Sequence, residues 1–240
     1  MPASVDTSVQ VIRSFPGCKE YNAWKSNTGW GSPPQEGVHE IHSTFRRALE
    51  AARRYIYIED QGFNAVESLF PCLVGACERG VKVIALIPGR SDPAEGVSSP
   101  APRELSAEVQ KGIVNQLSDT DRTNLAVWQL DGIFVHSKVI LIDDEFASIG
   151  SANFMDRSME STSMGDDSEL SVAAVSTGTL VSDLRVTLWA EHLRVSARAT
   201  KRLAQIRDLD RSLEFWRPGW GTGAGLTFPH KTTQLVPVGP

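Results

Sequence analysis

The chain has 240 residues, 41% hydrophobic and 22% charged, with a formal net charge of −5. These values fit one large or two small globular domains in water. They argue against a protein that grips nucleic acid chiefly by neutralising phosphates, and with no apolar run near about 18 residues they exclude a membrane-spanning helix.

The opening residues, MPASVDTSVQVIRSFPG, lack the basic-then-apolar order of a secretory signal. Within residues 1–36 the stretch VQVIRSF predicts an edge strand on an N-terminal arm, followed by a loop rich in Gly, Pro, Ser, Asn and Trp. Val38, Ile41, Phe45, Ala48, Leu49 and Ala52 recur at helical spacing, which predicts a helix over about 37–54. YIYI (55–58) reads as a buried strand. AVESLFPCLVGACERG reads as a helix ending at Gly80, with Pro71 at its first turn or at a kink. VKVIALIP (81–88) is the next strand, so strand, helix and strand form a βαβ unit with a parallel pair.

Residues 89–102 are dominated by turn-forming types and read as a flexible loop. A helix over 103–118 and a strand LAVWQL follow. Strands over 133–142 and 146–151 are joined by a turn at DDE, and ELSVAAV (169–175) is a further strand. Helices near 178–195 and 198–215 end the folded part. The Gly- and Pro-rich tail, 216–240, is either disordered or a strap pinned by Trp216 and Trp220. The expected architecture is a single α/β unit over 37–215, with a mixed, mostly parallel central sheet flanked by helices on both faces.

Cys18, Cys72 and Cys77 do not make a disulfide framework and read as free thiols. HEIH (39–42) is one residue short of the HExxH zinc pattern, so His39 and His42 read as surface histidines and no metal site is expected.

The chemistry concentrates in VHSKVILIDDEFASIGSANF, residues 135–154. Strand alternation puts His136, Lys138, Ile140 and Ile142 on one face, and Val135, Ser137, Val139 and Leu141 on the other. Both faces become apolar after Lys138, so a histidine and a lysine in this strand are out of place. A buried ammonium needs a carboxylate, an anion or solvent. Ser151 and Asn153 share a face on the next strand, and a hairpin brings them beside His136 and Lys138. An imidazole, a cation, a hydroxyl and an amide donor in one patch suit a phosphate group. Asp143, odd in register from His136, reads as a turn residue that bonds amides or orients neighbours. Ser137 and Ser148 read as core fillers. Glu59 reads as a surface carboxylate, and Gln61, at a strand end, lines the pocket.

His136-x-Lys138 with Asp143, followed by Gly150-Ser151-x-Asn153, resembles the HxKxxxxD signature of the phospholipase D superfamily. RYIYIEDQGF, NFMDRSM, DDSEL and LRVTLWAEHLRV are similar to further segments of two-signature members. The resemblance covers about residues 8–195. Gly62 departs from it, standing where the family has an aromatic residue.

This resemblance implies phosphodiester hydrolysis or transfer at a phospholipid without metal or cofactor. One signature histidine attacks phosphorus and that of a second signature protonates the leaving alcohol. It implies that Lys138 and Asn153 stabilise the phosphoryl oxygens, that Ser151 and Gly150 border them, and that Glu169 accepts from an imidazole. The chain carries one signature, because His230 is followed directly by Lys231. A second half is therefore expected, either an N-terminal half from which this chain is split or truncated, or a second copy, as in the family's homodimeric nucleases. The alternatives are that nuclease reading and a catalytically incomplete binding module. The expected location is cytoplasmic, with transient contact at a membrane surface.

Overall fold

In the computed structural model, which describes residues 7–15, 17, 37–63, 67–88, 107–130, 134–160, 167–216 and 235–237, one mixed sheet runs through the molecule. The strands are β1 (Thr7–Phe15), β2 (Val38–His39), β3 (Tyr55–Asp60), β4 (Lys82–Pro88), β5 (Leu125–Leu130), β6 (Lys138–Ile142), β7 (Phe146–Gly150), β8 (Glu169–Ser176) and β9 (Leu235–Pro237). Their order across the sheet is β2-β1-β8-β7-β6-β3-β4-β5-β9. The helices are α1 (Glu40–Ala51), α2 (Phe70–Glu78), α3 (Ala107–Gly112), α4 (Asp119–Arg122), α5 (Asp156–Met159), α6 (Leu180–His192), α7 (Thr200–Arg207) and α8 (Leu209–Phe215).

Apolar alternation decides which helix covers which face. Ile56, Ile58, Val83, Ala85, Ile140 and Ile142 pack with Ile41, Phe45 and Leu49 of α1 and Leu73 and Cys77 of α2. Tyr55, Tyr57, Ile84, Leu86, Val139 and Leu141 point the other way, onto Trp189 of α6, Ile206, Leu209 and Trp216. The expected α/β class with helices on both faces is what forms. The expected parallel majority does not. Among the described residues only β3–β4 and β4–β5 are parallel, and the other six pairings are antiparallel. The βαβ step supplies the parallel pairs, while tight turns and long returns supply the rest.

β1 is not at the edge. It lies between β2 and β8, with eight residues in register against β8 from Thr7↔Ser176 to Ser14↔Glu169. Among the described residues, helices cover the second face over β3 to β6 but not at the β7–β8–β1 end. Val9, Val11, Ile149, Leu170 and Val172 are exposed there, with Val11, Val172 and Ile149 directly opposite one another.

Pro71 sits in the first turn of α2, where a missing N–H costs no helix bond, and Gly80 takes φ 82° just past its end. Residues 103–106 of the predicted 103–118 helix lie outside the described residues; of the rest, α3 ends at Gly112 and a 3-10 turn follows at Val114–Gln116. The predicted 198–215 helix is two helices. Asp208 breaks it and accepts the Arg211 N–H as the cap of α8. The DDE turn is present, with Asp143 and Asp144 at φ 56° and 60°. Cys72 is half-buried and Cys77 buried, and burial pushes the Cys77 thiol up to about 12. The 89–102 loop, Cys18, Trp220 and His230 lie outside the described residues.

Candidate active site

The ladder of β6 begins at Lys138, which faces Asp60 of β3, and reaches β7 at Val139. His136 is therefore not in the middle of a strand, as the sequence suggested. It sits in the lead-in, residues 134–137, ahead of the strand, and is exposed. Its ring stacks on Phe134 with centroids 5.7 Å apart. Lys138 Nζ donates to the His136 carbonyl at 2.9 Å and to Gln61 Oε1 at 3.0 Å. The ammonium is thus held at the C-terminal end of β3, next to the imidazole-bearing segment, with the Asp60 carboxylate on the same face.

Asp60 was not singled out in the sequence. It is 3% exposed and accepts from the amides of Gly62 (2.5 Å), Phe63 (3.3 Å) and Phe154 (2.9 Å). It ties the turn carrying Gln61 to the loop carrying Asn153. Burial pushes its carboxyl up to about 7, against the pull of those amides and of Lys138. The available signal was two adjacent carboxylates ending an apolar strand, one on each face.

Ser151, just past β7, donates its hydroxyl to Glu169 Oε2 and accepts the Leu170 N–H at 3.1 Å. Ser158 of α5 donates to Glu169 Oε1 at 2.8 Å. Glu169 is 9% exposed, and both of its oxygens are held by hydroxyls. Gly150 makes this possible, since a Cβ there would lie 2.5 Å from the Leu170 carbonyl oxygen and from Ser171 Cα. Asn153 is half-buried, and its Oδ1 has no hydrogen-bond partner among the described residues. An orphaned buried oxygen is costly.

Asp143 is elsewhere. It accepts the amides of Arg53, Arg54 and Tyr55 at 2.7, 2.8 and 2.9 Å, at the far end of β6. Five strand steps separate it from Lys138, roughly 16 Å. Its place is structural, clamping the entry to β3.

On the opposite face Glu59 is buried at 4% exposure, not a surface carboxylate. It accepts from Tyr57 Oη (2.9 Å), Ser137 Oγ (2.6 Å) and His192 Nε2 (3.0 Å). Ser137 is accordingly more than a core filler. Ser148, by contrast, is buried with its hydroxyl unpartnered among the described residues. A cleft of about 360 Å³ runs beside these groups, lined by Glu59, Phe134, His136, Ser137, His192 and Arg194 among others.

The HEIH histidines are occupied locally. His39 Nδ1 contacts the Met159 carbonyl at 3.1 Å, and His42 Nε2 contacts Ser68 and Glu160. No helix among the described residues is long and apolar enough to cross a membrane.

The family described as "Cardiolipin synthase, PLD-like domain" matches residues 45–182. Phospholipase D zeta 1 of Arabidopsis thaliana is 25% identical over 225 residues, covering 70% of this chain and 20% of that protein. Cardiolipin synthase 1 of Staphylococcus epidermidis is 28% identical over 129 residues, covering 54% of this chain and 24% of that protein. The chain thus spans a fifth to a quarter of the length of these curated relatives. Among solved structures, phosphatidylserine synthase of Haemophilus influenzae Rd KW20 superposes with a TM-score of 0.53 at 14% identity, covering 88% of this chain and 48% of that one.

Proposed function

The chain belongs to the phospholipase D superfamily, whose chemistry is that of phosphodiesters, and from that premise we propose that it contributes half of a histidine-based, metal-independent active site for hydrolysis or transfer at a phospholipid. The observation that carries the reading is one end of one sheet. There His136, Lys138 and Gln61 stand at the mouth of β6 and β3, and Ser151, Asn153 and Glu169 come off β7 and onto β8.

His136 acts on the phosphoryl group or its leaving oxygen, since imidazole can attack or protonate near neutral pH. By the resemblance to second signatures it is the leaving-group acid, and in a homodimer it takes both roles. Lys138 and the Asn153 amide stabilise charge on the phosphoryl oxygens. Glu169, its two oxygens oriented by Ser151 and Ser158, receives an imidazole N–H from His136 or from the partner histidine.

The second half is an N-terminal half, on the same polypeptide or another, or a second copy of this chain. Its requirement is supported by the single His-x-Lys in the sequence and by the bare apolar strip of Val9, Val11, Ile149, Leu170 and Val172. Lipid substrate is supported by the names of the relatives and by the net charge of −5, which disfavours a phosphate-neutralising groove.

The test supplies the purified chain, alone and mixed with a first-signature half, with phosphatidylcholine vesicles and with single-stranded DNA in the presence of EDTA. Choline release is the expected result. Cleavage of DNA but not lipid would transfer the reading to a nuclease. A monomer inert on both, with or without the other half, would make the chain a binding module.

A further inference from the structure

We infer that Ser137, Glu59 and His192 form a clamp that positions His136, so that the end of α6 fixes where the reactive imidazole stands. The inference rests on the phosphodiesterase reading above.

Among the described residues no strand ladder holds His136, because the β6 ladder starts at Lys138 on one side and Val139 on the other. The lead-in needs another anchor. Lys138 Nζ reaches the His136 carbonyl, but that lysine is also the cation offered to the phosphoryl group. Phe134 supplies a ring stack from within the same segment. Val135 is buried in the core with Tyr57 and Trp189, and the polar anchor to the sheet is the Ser137 hydroxyl, which donates to Glu59 Oε1 at 2.6 Å.

Alternation explains the placement. Ser137 lies between His136 and Lys138 and reaches Glu59 on the face opposite Lys138 and Asp60, so fixing it fixes both neighbours. Glu59 is itself immobilised. Tyr57, two residues earlier on β3, donates to its Oε2 at 2.9 Å, and His192 Nε2 lies 3.0 Å from the same oxygen. His192 is the last residue of α6 and 8% exposed. One turn earlier Trp189 packs edge-on against Tyr55 and Tyr57, each 5.7 Å away, which seats the helix end on β3.

Burial alone would raise the Glu59 carboxyl. The hydrogen bond and charge of His192, with the hydroxyls of Ser137 and Tyr57, outweigh it and hold the group below its ordinary range. An ionised, triply bonded carboxylate is a strong acceptor for the serine.

The experiment measures amide hydrogen exchange over residues 134–142 in the full chain, together with the response of the His136 imidazole resonances to inorganic phosphate. Ser137→Ala is compared with Ser137→Thr, which keeps the hydroxyl, and with His192→Gln, which keeps a side-chain N–H donor. Ser137→Ala is expected to speed exchange at 135–137 about tenfold, the scale of a lost hydrogen bond to a charged group. Exchange at 139–142 stays unchanged, and phosphate affinity at His136 falls by a similar factor. Ser137→Thr and His192→Gln stay near wild type. Unchanged exchange at 135–137 in Ser137→Ala, or an equal rise along all of β6, overturns the clamp. A wild-type chain whose His136 ignores phosphate, with the exchange pattern as expected, contradicts the phosphodiesterase reading and leaves the clamp standing.

Discussion

Asp60 and Phe154, far apart in sequence, are joined by one hydrogen bond: the Phe154 amide donates to Asp60 Oδ2 at 2.9 Å. Through it the end of β3 holds the loop that presents Asn153. The same carboxyl collects the Gly62 and Phe63 amides and faces Lys138 across the ladder.

Burial raises the Asp60 carboxyl from 3.8 to about 7, and this predicts a pH signature. The folded chain keeps a proton that the unfolded chain has released over the window from about pH 4 to about pH 7. Stability from this group is complete below that window, falls as pH rises through it, and levels off above about pH 7. Denaturant midpoints of wild type and Asp60→Asn across that range should differ in slope, with the variant flatter. Equal slopes would show that Asp60 titrates like an exposed carboxylate.

Asp143→Ala removes the acceptor of three amides, two of which can find water. A loss of about 2 kcal/mol is expected in denaturant unfolding. A change below a few tenths would remove Asp143 from the set that holds β3 in place.

Gly150→Ala would drive a methyl into the Leu170 carbonyl oxygen and Ser171 Cα, both of them backbone. The β7–β8 register must yield, at a cost of roughly 1–3 kcal/mol. The Ser151–Glu169 bond should loosen with it, read as faster exchange of the Leu170 amide. Wild-type stability in this variant would contradict the close approach.

Arg185 is fully buried and forks onto Asp144 at 2.7 and 3.0 Å, with the Ile206 carbonyl at 2.7 Å and the Trp189 ring 4.9 Å away. Arg185→Ala leaves carbonyls and a carboxylate without their donor, and should cost about 3–5 kcal/mol. Arg185→Met, which refills the volume, should cost less. Thermal melts of the two variants provide the comparison; a loss below about 1 kcal/mol in both would count against the ion pair.

Much of this was legible in the sequence, because the local rules and the fold agree. The period of Ile41, Phe45 and Leu49 marks α1, and YIYI and VKVIALI mark strands buried on both faces. The spacing of His136, Lys138, Ser151 and Asn153 named the phosphate-suited patch, and the fold brings their segments to one end of the sheet. What escaped needed tertiary information. The lead-in before β6 looks like strand because its alternation is unbroken, and only missing partners at 134–137 reveal otherwise. Glu59 reads as a surface carboxylate and Asp60 is passed over, because nothing local shows the His192 ring or the Phe154 amide that meets them. The antiparallel majority follows from how β1 returns to β8 and β6 pairs with β3, which are long-range choices that periodicity does not encode.

The most direct test of the central claim is choline release from phosphatidylcholine vesicles in EDTA. Wild type and His136→Asn are each assayed alone and with a first-signature half. Release by wild type is expected once a second signature is present, from the added half or from a second copy, with a loss of about 10³-fold or more in His136→Asn. Release that survives the substitution within a few-fold would contradict the claim.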